Sequence, residues 1–385
     1  MNIDFLIHNG HVVDPANGVD GIRSIGVQGQ RIVDIEGKTV TATNTLDASG
    51  CYVFPGLVDY HTHLFFGGAL SGCYPDFQVG TGVTSAVDAG SSGCGTYRAF
   101  HQAVIVQSRV RIKALLSCYT GGLLSGGFHE NFDPALFNKP MIAQLAREFP
   151  DTVIGLKMRL SLSGQLTKDI KPLEAAVAMA DEIGGLSVCV HVTNPPCAMT
   201  DIVSLLRPGD VFCHVFHGKG DILLDKNGKI PPAFLRARER GVIFDVANGR
   251  MNCSHKVCRA AIREGFLPDV ISTDMGLDKL YLGNHVRSLP FVMAKFLSFG
   301  MSLPDVVRSV TETPARLMNM AGKIGTLAPD AFADVAVFRK TDRRTAYLDA
   351  ENDVQIGEGF LVPQATIING LLAYAQADFN LAAQS

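Results

Sequence analysis

The chain has 385 residues, 47% of them hydrophobic and 18% charged, with a formal net charge of −3. That balance belongs to an ordinary globular protein and gives no electrostatic reason to expect nucleic acid or an anionic membrane as partner. No apolar run reaches the ~18 residues of a membrane-spanning helix, and the N-terminal stretch carries Asp4 and no basic segment, so it does not read as a secretory signal.

The first fifty or so residues read as short strands and turns. Residues 3–7 and 11–13 suggest a hairpin around Asn9-Gly10, a strong two-residue turn signal. The pattern repeats at 24–27 and 31–35 around Gly29-Gln30, and 45–48 and 51–54 follow. These strands are too few to bury a core of their own.

After Pro55 apolar strand-like runs alternate with amphipathic helical ones. Eight runs read as strands: 57–61, 83–88, 112–118, 153–159, 186–192, 211–216, 242–246 and 270–274. Helical segments lie between most of them, including 135–148, 170–183, 232–240 and 255–264. Near-continuous apolar strands alternating with helices predict a parallel sheet covered on both faces, and eight such units fit a (β/α)8 TIM barrel. An open doubly wound sheet is the alternative. No Gly-x-Gly-x-x-Gly or phosphate-binding loop follows any strand, which removes the usual reason to expect one.

A last helix is expected over 303–320, opened by Ser302 as N-cap with Asp305 three residues on. Beyond Gly325 strand texture returns at 333–338, 361–362 and 365–368, then 371–375 after the Asn369-Gly370 turn. The two end pieces, 1–54 and 323–385, are each too small to stand alone. The economical arrangement pairs them as one β-sandwich beside a barrel over 55–322.

Nine cysteines without a Cys-x-x-Cys pair argue against a disulfide framework or a structural zinc cluster, and for a reducing cytoplasm. Cys51, Cys118, Cys189 and Cys213 sit inside apolar runs and are expected to be buried as small hydrophobes.

In a barrel, functional groups stand at the C-terminal ends of the strands. The first strand ends in His61-Thr62-His63, two imidazoles one spacer apart, which suit a metal. The fourth carries Lys157 inside an apolar run. The fifth ends in His191, the sixth in His214 and the eighth in Asp274. Each alone reads as an ordinary hydrogen-bonded side chain. Four histidines, a lysine and an aspartate at one rim point together to a metal site.

With these residues in place the chain resembles the amidohydrolase superfamily of metal-dependent hydrolases. Pro55-Gly56-Leu57-Val58-Asp59 ahead of His-x-His, the lysine and histidine strands, the strand-eight aspartate, and Thr313-Pro314-Ala315 with Gly325-Thr326-Leu327 and Ala333-Asp334-Val335 carry the likeness. Relatives commonly place a glycine where this chain has Asp330, a residue that tolerates a left-handed turn. Gly155-Leu156-Lys157-Met158-Arg159, His214-Val215-Phe216-His217-Gly218-Lys219 and Ser272-Thr273-Asp274 look most like the dihydroorotase-like deacetylase and esterase branch.

The resemblance implies two divalent metal ions, zinc above all. His61, His63 and Asp274 would hold one and His191 and His214 the other. Lys157 would bridge them as a lysine carboxylated by carbon dioxide, its pKa depressed by apolar surroundings and positive neighbours. Asp274 would be the catalytic group that carries a proton from water to the leaving group.

Substrate groups follow less directly. Arg159 shares a strand face with Lys157 and could clamp a carboxylate, or equally form a structural ion pair with a loop. Tyr119 ends strand three before Gly121-Gly122, and His217 lies three residues past His214; both are expected to contact substrate. His129 and His255 fall in loops at the same end. Strand seven ends Val246-Ala247-Asn248-Gly249, without the histidine expected there in this branch. The leading expectation is a cytoplasmic hydrolase cleaving an acyl amide or ester of a small carboxylated molecule, with no nucleic-acid or membrane partner and homo-oligomerisation left open. The alternatives are a cyclic amidase of dihydroorotase or hydantoinase type and a scaffold that has lost catalysis; here every ligand is present.

Overall fold

The structure is a computed structural model that describes residues 1–124, 130–162 and 169–379 and the backbone of 381–383. The chain opens with β1 (Asn2–Asp14), β2 (Val19–Gln28), β3 (Arg31–Val33), β4 (Thr41–Asp47) and β5 (Cys51–Pro55). Asn9-Gly10 does not turn the chain. β1 runs straight through it, Asn9 is left-handed at φ 61°, and the pairing with β2 slips between Ile7 and Gly10. The signal was a bulge. It sits where β1 changes neighbours, from β4 along residues 2–8 to β5 at His11 and Val12. A Cβ on Gly10 would lie 2.4 Å from Val53 Cγ2, so the crossing of these strands leaves room for glycine alone. The hairpin expected at Gly29-Gln30 does form, with Gln28 opposite Arg31.

Seven parallel strands follow in chain order: β6 (Leu57–Thr62), β7 (Val83–Gly93), β8 (Arg111–Ser117), β9 (Val153–Leu160), β10 (Ser187–Val192), β11 (Val211–Cys213) and β12 (Ile243–Asp245). The eighth expected strand, 270–274, is not a regular one. Val270 N donates to Phe244 O and Asn248 N to Ser272 O on one side; Asp274 N donates to His61 O and His63 N to Met275 O on the other. The segment thus bonds to both outer strands of the seven. Its middle is held by side chains instead of a ladder: Thr273 donates through its N and its Oγ1 to the buried Asp59 carboxylate, at 3.0 and 2.6 Å.

Between and after these strands lie α1 (Tyr97–Ala103), α2 (Lys139–Glu148), α3 (Lys171–Ile183), α4 (Met199–Leu205), α5 (Pro232–Arg240), α6 (His255–Arg263), α7 (Leu289–Ser298), α8 (Leu303–Ser309) and α9 (Glu312–Leu317). Two helices depart from expectation, each at a proline. The helix expected from 135 begins at Lys139, because Pro140 is tolerated only in a first turn; Asn138 Oδ1 caps it from Met141 N. The single helix expected over 303–320 is two, since Pro314 in its interior would clash with the carbonyl four residues back. Ser302 caps the first of them through Asp305 N, as its spacing predicted.

Strand alternation sorts the core from the site. On β9 Leu156, Met158 and Leu160 join the apolar layer under the helices, while Lys157 and Arg159 take the opposite face. On β10 Val188, Val190 and Val192 do the same, leaving Cys189 and His191 inside.

The last strands are β13 (Val335–Leu348), β14 (Val354–Ile368), β15 (Leu371–Ala375) and β16 (Leu381–Ala383). Asn369-Gly370 makes the expected tight turn, with Ile368 opposite Leu371. β13 pairs with β5, so the two chain ends meet. They do so in one nine-stranded sheet that branches at β1, with its own apolar cluster including Ile7, Val27, Val53, Val337 and Ile367. Asp330 occupies a left-handed turn at φ 68°, as its place in the motif required. Arg111 ties this sheet to the seven strands: it donates to Asp334 Oδ2 and Asn369 Oδ1, both at 2.7 Å. Among the described residues no helix is long and apolar enough to cross a membrane.

Candidate metal centre

His61 and His63 leave the end of β6 where its pairing with β7 slips, and their ring centroids lie 5.9 Å apart. Asp274 meets them from the eighth segment: its Oδ1 is 3.0 Å from His63 Nε2 and 3.7 Å from His61 Nε2. Lys157 Nζ comes within 2.9 Å of His61 Nε2 from β9. His191 Nδ1 and His214 Nε2 are 2.8 Å apart, and the rings of His61 and His214 lie 5.2 Å apart. The six predicted side chains therefore converge at one end of the parallel strands. Gly90 makes the convergence possible, since a Cβ there would lie 2.7 Å from the Lys157 stem.

Backbone strain gathers at the same rim. His214 and Asp274 hold left-handed φ values of 61° and 53°, uncommon for residues with a Cβ, and these turns aim their side chains.

The far nitrogen of three histidines is already engaged. His214 Nδ1 donates to Ala247 O at 2.7 Å, His61 Nδ1 faces Asp245 Oδ2 at 3.3 Å and His63 Nδ1 faces Ser91 Oγ at 3.1 Å. A carbonyl only accepts, so His214 carries its proton on Nδ1 and turns the Nε2 lone pair inward. Burial pushes His214 down to about 3 and holds His61 and His191 well below the ordinary imidazole range. Neutral imidazoles are the form that ligates a cation. Burial also raises Asp274, but Lys279 and His63 outweigh it and hold the carboxyl well below its usual range. The neutral imidazoles of His61, His191 and His214, with His63 and an ionised carboxylate beside them, are a donor set that fits divalent metal. His61, His63 and Asp274 alone bring three ligand atoms within 4.8 Å of one another.

Lys157 departs from expectation in one respect. Burial lowers its pKa, but Cys189, Cys213, Asp274 and Asp245 together raise it above the ordinary lysine value. The two thiols lie beneath the amine, Sγ atoms 2.9 Å apart and 3.7 and 4.0 Å from Nζ. Both cysteines are buried as small side chains, as their sequence context predicted.

A cavity of about 370 Å³ opens on this cluster, bounded by His61, His63, Lys157, His191 and Asp274 and by Arg159. Arg159 Nε is 2.8 Å from Glu130 Oε2, so the loop ion pair is the alternative realised. Tyr119 and His217 do not line the cavity. The loop after β8 folds back over Gly93, and Tyr119 packs with the apolar layer under the helices. The left-handed turn at His214 rotates the chain, and His217 ends fully buried, Nδ1 accepting from Lys219 N at 3.3 Å. Lys219, two residues on, reaches the cavity instead. His255 starts α6 and packs on Phe299 outside the cavity, and His129 lies outside the described residues. Glu130, Lys219, Asn252 and Lys279 also line the cavity and escaped the sequence reading. They sit in loops, where no periodicity marks an inward face.

The amidohydrolase family model matches residues 52–372. The chain belongs to the amidohydrolase family. It is a deacetylase-like member and a metal-dependent hydrolase. A deacetylase of Enterococcus faecalis is 29% identical over 378 residues, covering 96% of this chain and 99% of that protein. A deacetylase of Agrobacterium fabrum is 30% identical over 328 residues, covering 85% and 80%. Among solved structures, an adenine deaminase superposes with a TM-score of 0.89 at 28% identity, over 97% of this chain and 100% of its own. A dihydroorotase gives 0.84 at 28% identity, over 97% and 98%.

Proposed function

We propose that this amidohydrolase is a binuclear metal hydrolase that cleaves an acyl amide or ester of a small carboxylated molecule. The observation that carries the reading is the convergence of His61, His63, Lys157, His191, His214 and Asp274 at one rim, five of them lining the cavity and His214 buried against His191 behind it, with His61, His191 and His214 neutral and the carboxylate ionised. The deacetylase relatives support the acyl bond. His61, His63 and Asp274 would hold one ion, His191 and His214 the other, and a carboxylated Lys157 would bridge them. When bound, such a centre polarises a carbonyl and acidifies water to near neutral pKa. Asp274 Oδ1 faces the histidines, its Oδ2 accepts from Asn252, and the residue borders the cavity, so the carboxylate would stand where it can take a proton from water and return it to a leaving group. Lys219, and the guanidinium edge of Arg159 that Glu130 leaves over, offer positive charge to a substrate carboxylate. The eight-unit closed barrel over 55–322, with the end pieces as a flanking sandwich, belongs to the same proposal.

A cyclic amidase is the second reading, favoured by the dihydroorotase superposition. One experiment separates the two. Protein made with ample zinc and bicarbonate should carry close to two ions per chain and should hydrolyse N-acyl or O-acyl acids faster than cyclic amides or lactones. A preference for cyclic amides would transfer the assignment to the second reading. Protein that binds no metal under those conditions would sink the site itself.

A further inference from the structure

Asp274 has a second set of partners on the side away from the histidines. Asn252 Nδ2 donates to Asp274 Oδ2 at 3.2 Å, and Asn252 Oδ1 accepts from Thr193 Oγ1 at 3.0 Å. All three side chains are buried, Asn252 at 9% exposure, and all three border the cavity. Thr193 follows β10, two residues past His191. Asn252 lies in the loop after β12, and Asp274 ends the eighth segment, so the chain of bonds links three separate loops of the rim. The loop carrying Asn252 is fitted to the carboxylate. Gly249 is left-handed at φ 48°, and a Cβ there would lie 2.5 Å from Asp274 Oδ2 and 2.7 Å from Asn252 Nδ2. Only glycine permits that approach.

Two facts give the contact a purpose. Asp274 is itself left-handed, a turn that Asp tolerates and that sets the direction in which its carboxylate leaves the chain. Its two oxygens are also divided: Oδ1 faces His63 and His61, whereas Oδ2 faces Asn252 and, at 3.6 Å, Lys279. A carboxylate free to rotate would lose that division. The rim of strand seven supplies no histidine here, and Asn252 reaches Asp274 from the loop beyond it. An amide can orient a carboxylate but cannot exchange a proton with it.

We propose that Asn252 is a positioning residue for Asp274, itself set by Thr193, which keeps Oδ1 turned to His61 and His63 and Oδ2 turned away from them. Thr193 fixes the amide's orientation, because its hydroxyl donates to Oδ1 and so leaves Nδ2 facing the carboxylate. The inference rests on the hydrolase reading for its kinetic consequence but not for its effect on metal binding.

The test uses the full chain loaded with zinc. Asn252→Leu keeps side-chain volume and removes the donor. Loss of an outer hydrogen-bond partner of a metal ligand typically costs about 10–100-fold in metal affinity or activity. Asn252→Leu should therefore release one of two zinc ions to a competing chelator roughly 10-fold more readily and lower kcat by roughly 10–100-fold, with KM little changed. Thr193→Val should move both readings the same way by less. Adding it to Asn252→Leu should cost nothing further, since the two act as one unit. Asn252→Gln, which retains the donor, should recover part of both. Wild-type zinc affinity and kcat in Asn252→Leu would overturn the proposal, and additive losses in the double variant would remove Thr193 from it. If the wild type hydrolyses nothing in the panel, the hydrolase reading fails while zinc release still decides the role of Asn252. If Asn252→Leu misfolds, Thr193→Val alone decides: unchanged zinc release there overturns the proposal.

Discussion

Under the proposed function Asp274 would carry two demands at once, as metal ligand and as proton carrier, and Asp274→Asn separates them. The amide keeps the shape and one oxygen but cannot carry a proton. Shuttling by a positioned acid–base group is worth about 10²–10⁴-fold in rate. Asp274→Asn should accordingly retain much of its zinc and lose turnover by roughly that factor. Normal turnover with metal intact would show that a different group moves the proton. Of the six converging side chains, five were legible in the sequence because they stand at the end of an apolar run, visible without knowing the fold, and Lys157 because it is a lone charge inside one. Arg159 was legible as facing inward, with a loop ion pair as one of its two readings, but its partner was not, since Glu130 lies in a loop with no pattern to mark it. His217 misled because spacing on a loop carries no facing rule: the left-handed φ of His214 aims Lys219, not His217, at the cavity.

Proline and Asn-Gly governed what could be foreseen of the elements. Asn-Gly was right at 369–370, where two strands flank it and turn back, and wrong at 9–10, where one strand passes through and trades β4 for β5. The local sequence is the same; the difference lies in partners more than thirty residues away. Between elements, the Arg111 guanidinium is the fastening between β8 and the sheet built from the chain ends. Asp334 is 2% exposed, Arg111 18%, and Asp334 Oδ1 also accepts from Asn369 N at 2.8 Å. Truncating one partner of a largely buried pair leaves the other charge uncompensated and typically costs about 3–5 kcal/mol. Asp334→Ala should thus destabilise by roughly 3 kcal/mol, read as a lower urea midpoint at unchanged slope. Arg111→Met in the same chain should recover part of the loss. No recovery would mean that the backbone bonds around Asp334, and not the ion pair, hold the joint.

For the whole molecule, the alternation of apolar strands and helices predicted the parallel sheet, and strand ends predicted the rim. What the pattern could not give was the eighth segment, where side-chain bonds to Asp59 replace a ladder. Nor could it give the branching of the end sheet, which depends on pairings between residues at opposite ends of the sequence. That last feature bears on how the protein is made. β5 leaves the ribosome early, yet its neighbour β13 lies roughly 280 residues later; at about 5–20 residues per second the wait is on the order of 15–60 s. For that interval one edge of β5, beside Val53 and Phe54, has no strand to pair with, and it is a template for the wrong chain. Ribosome-bound chains stalled before residue 335 should be cut by protease within 1–55, and full-length chains should be protected there. Equal protection in both would mean that the early strands find shelter without the late ones. While β5 is unpaired, nascent chains crowded on one message should associate through it, so slow translation between residues 56 and 348, and not of the first fifty-five, is where yield would be lost.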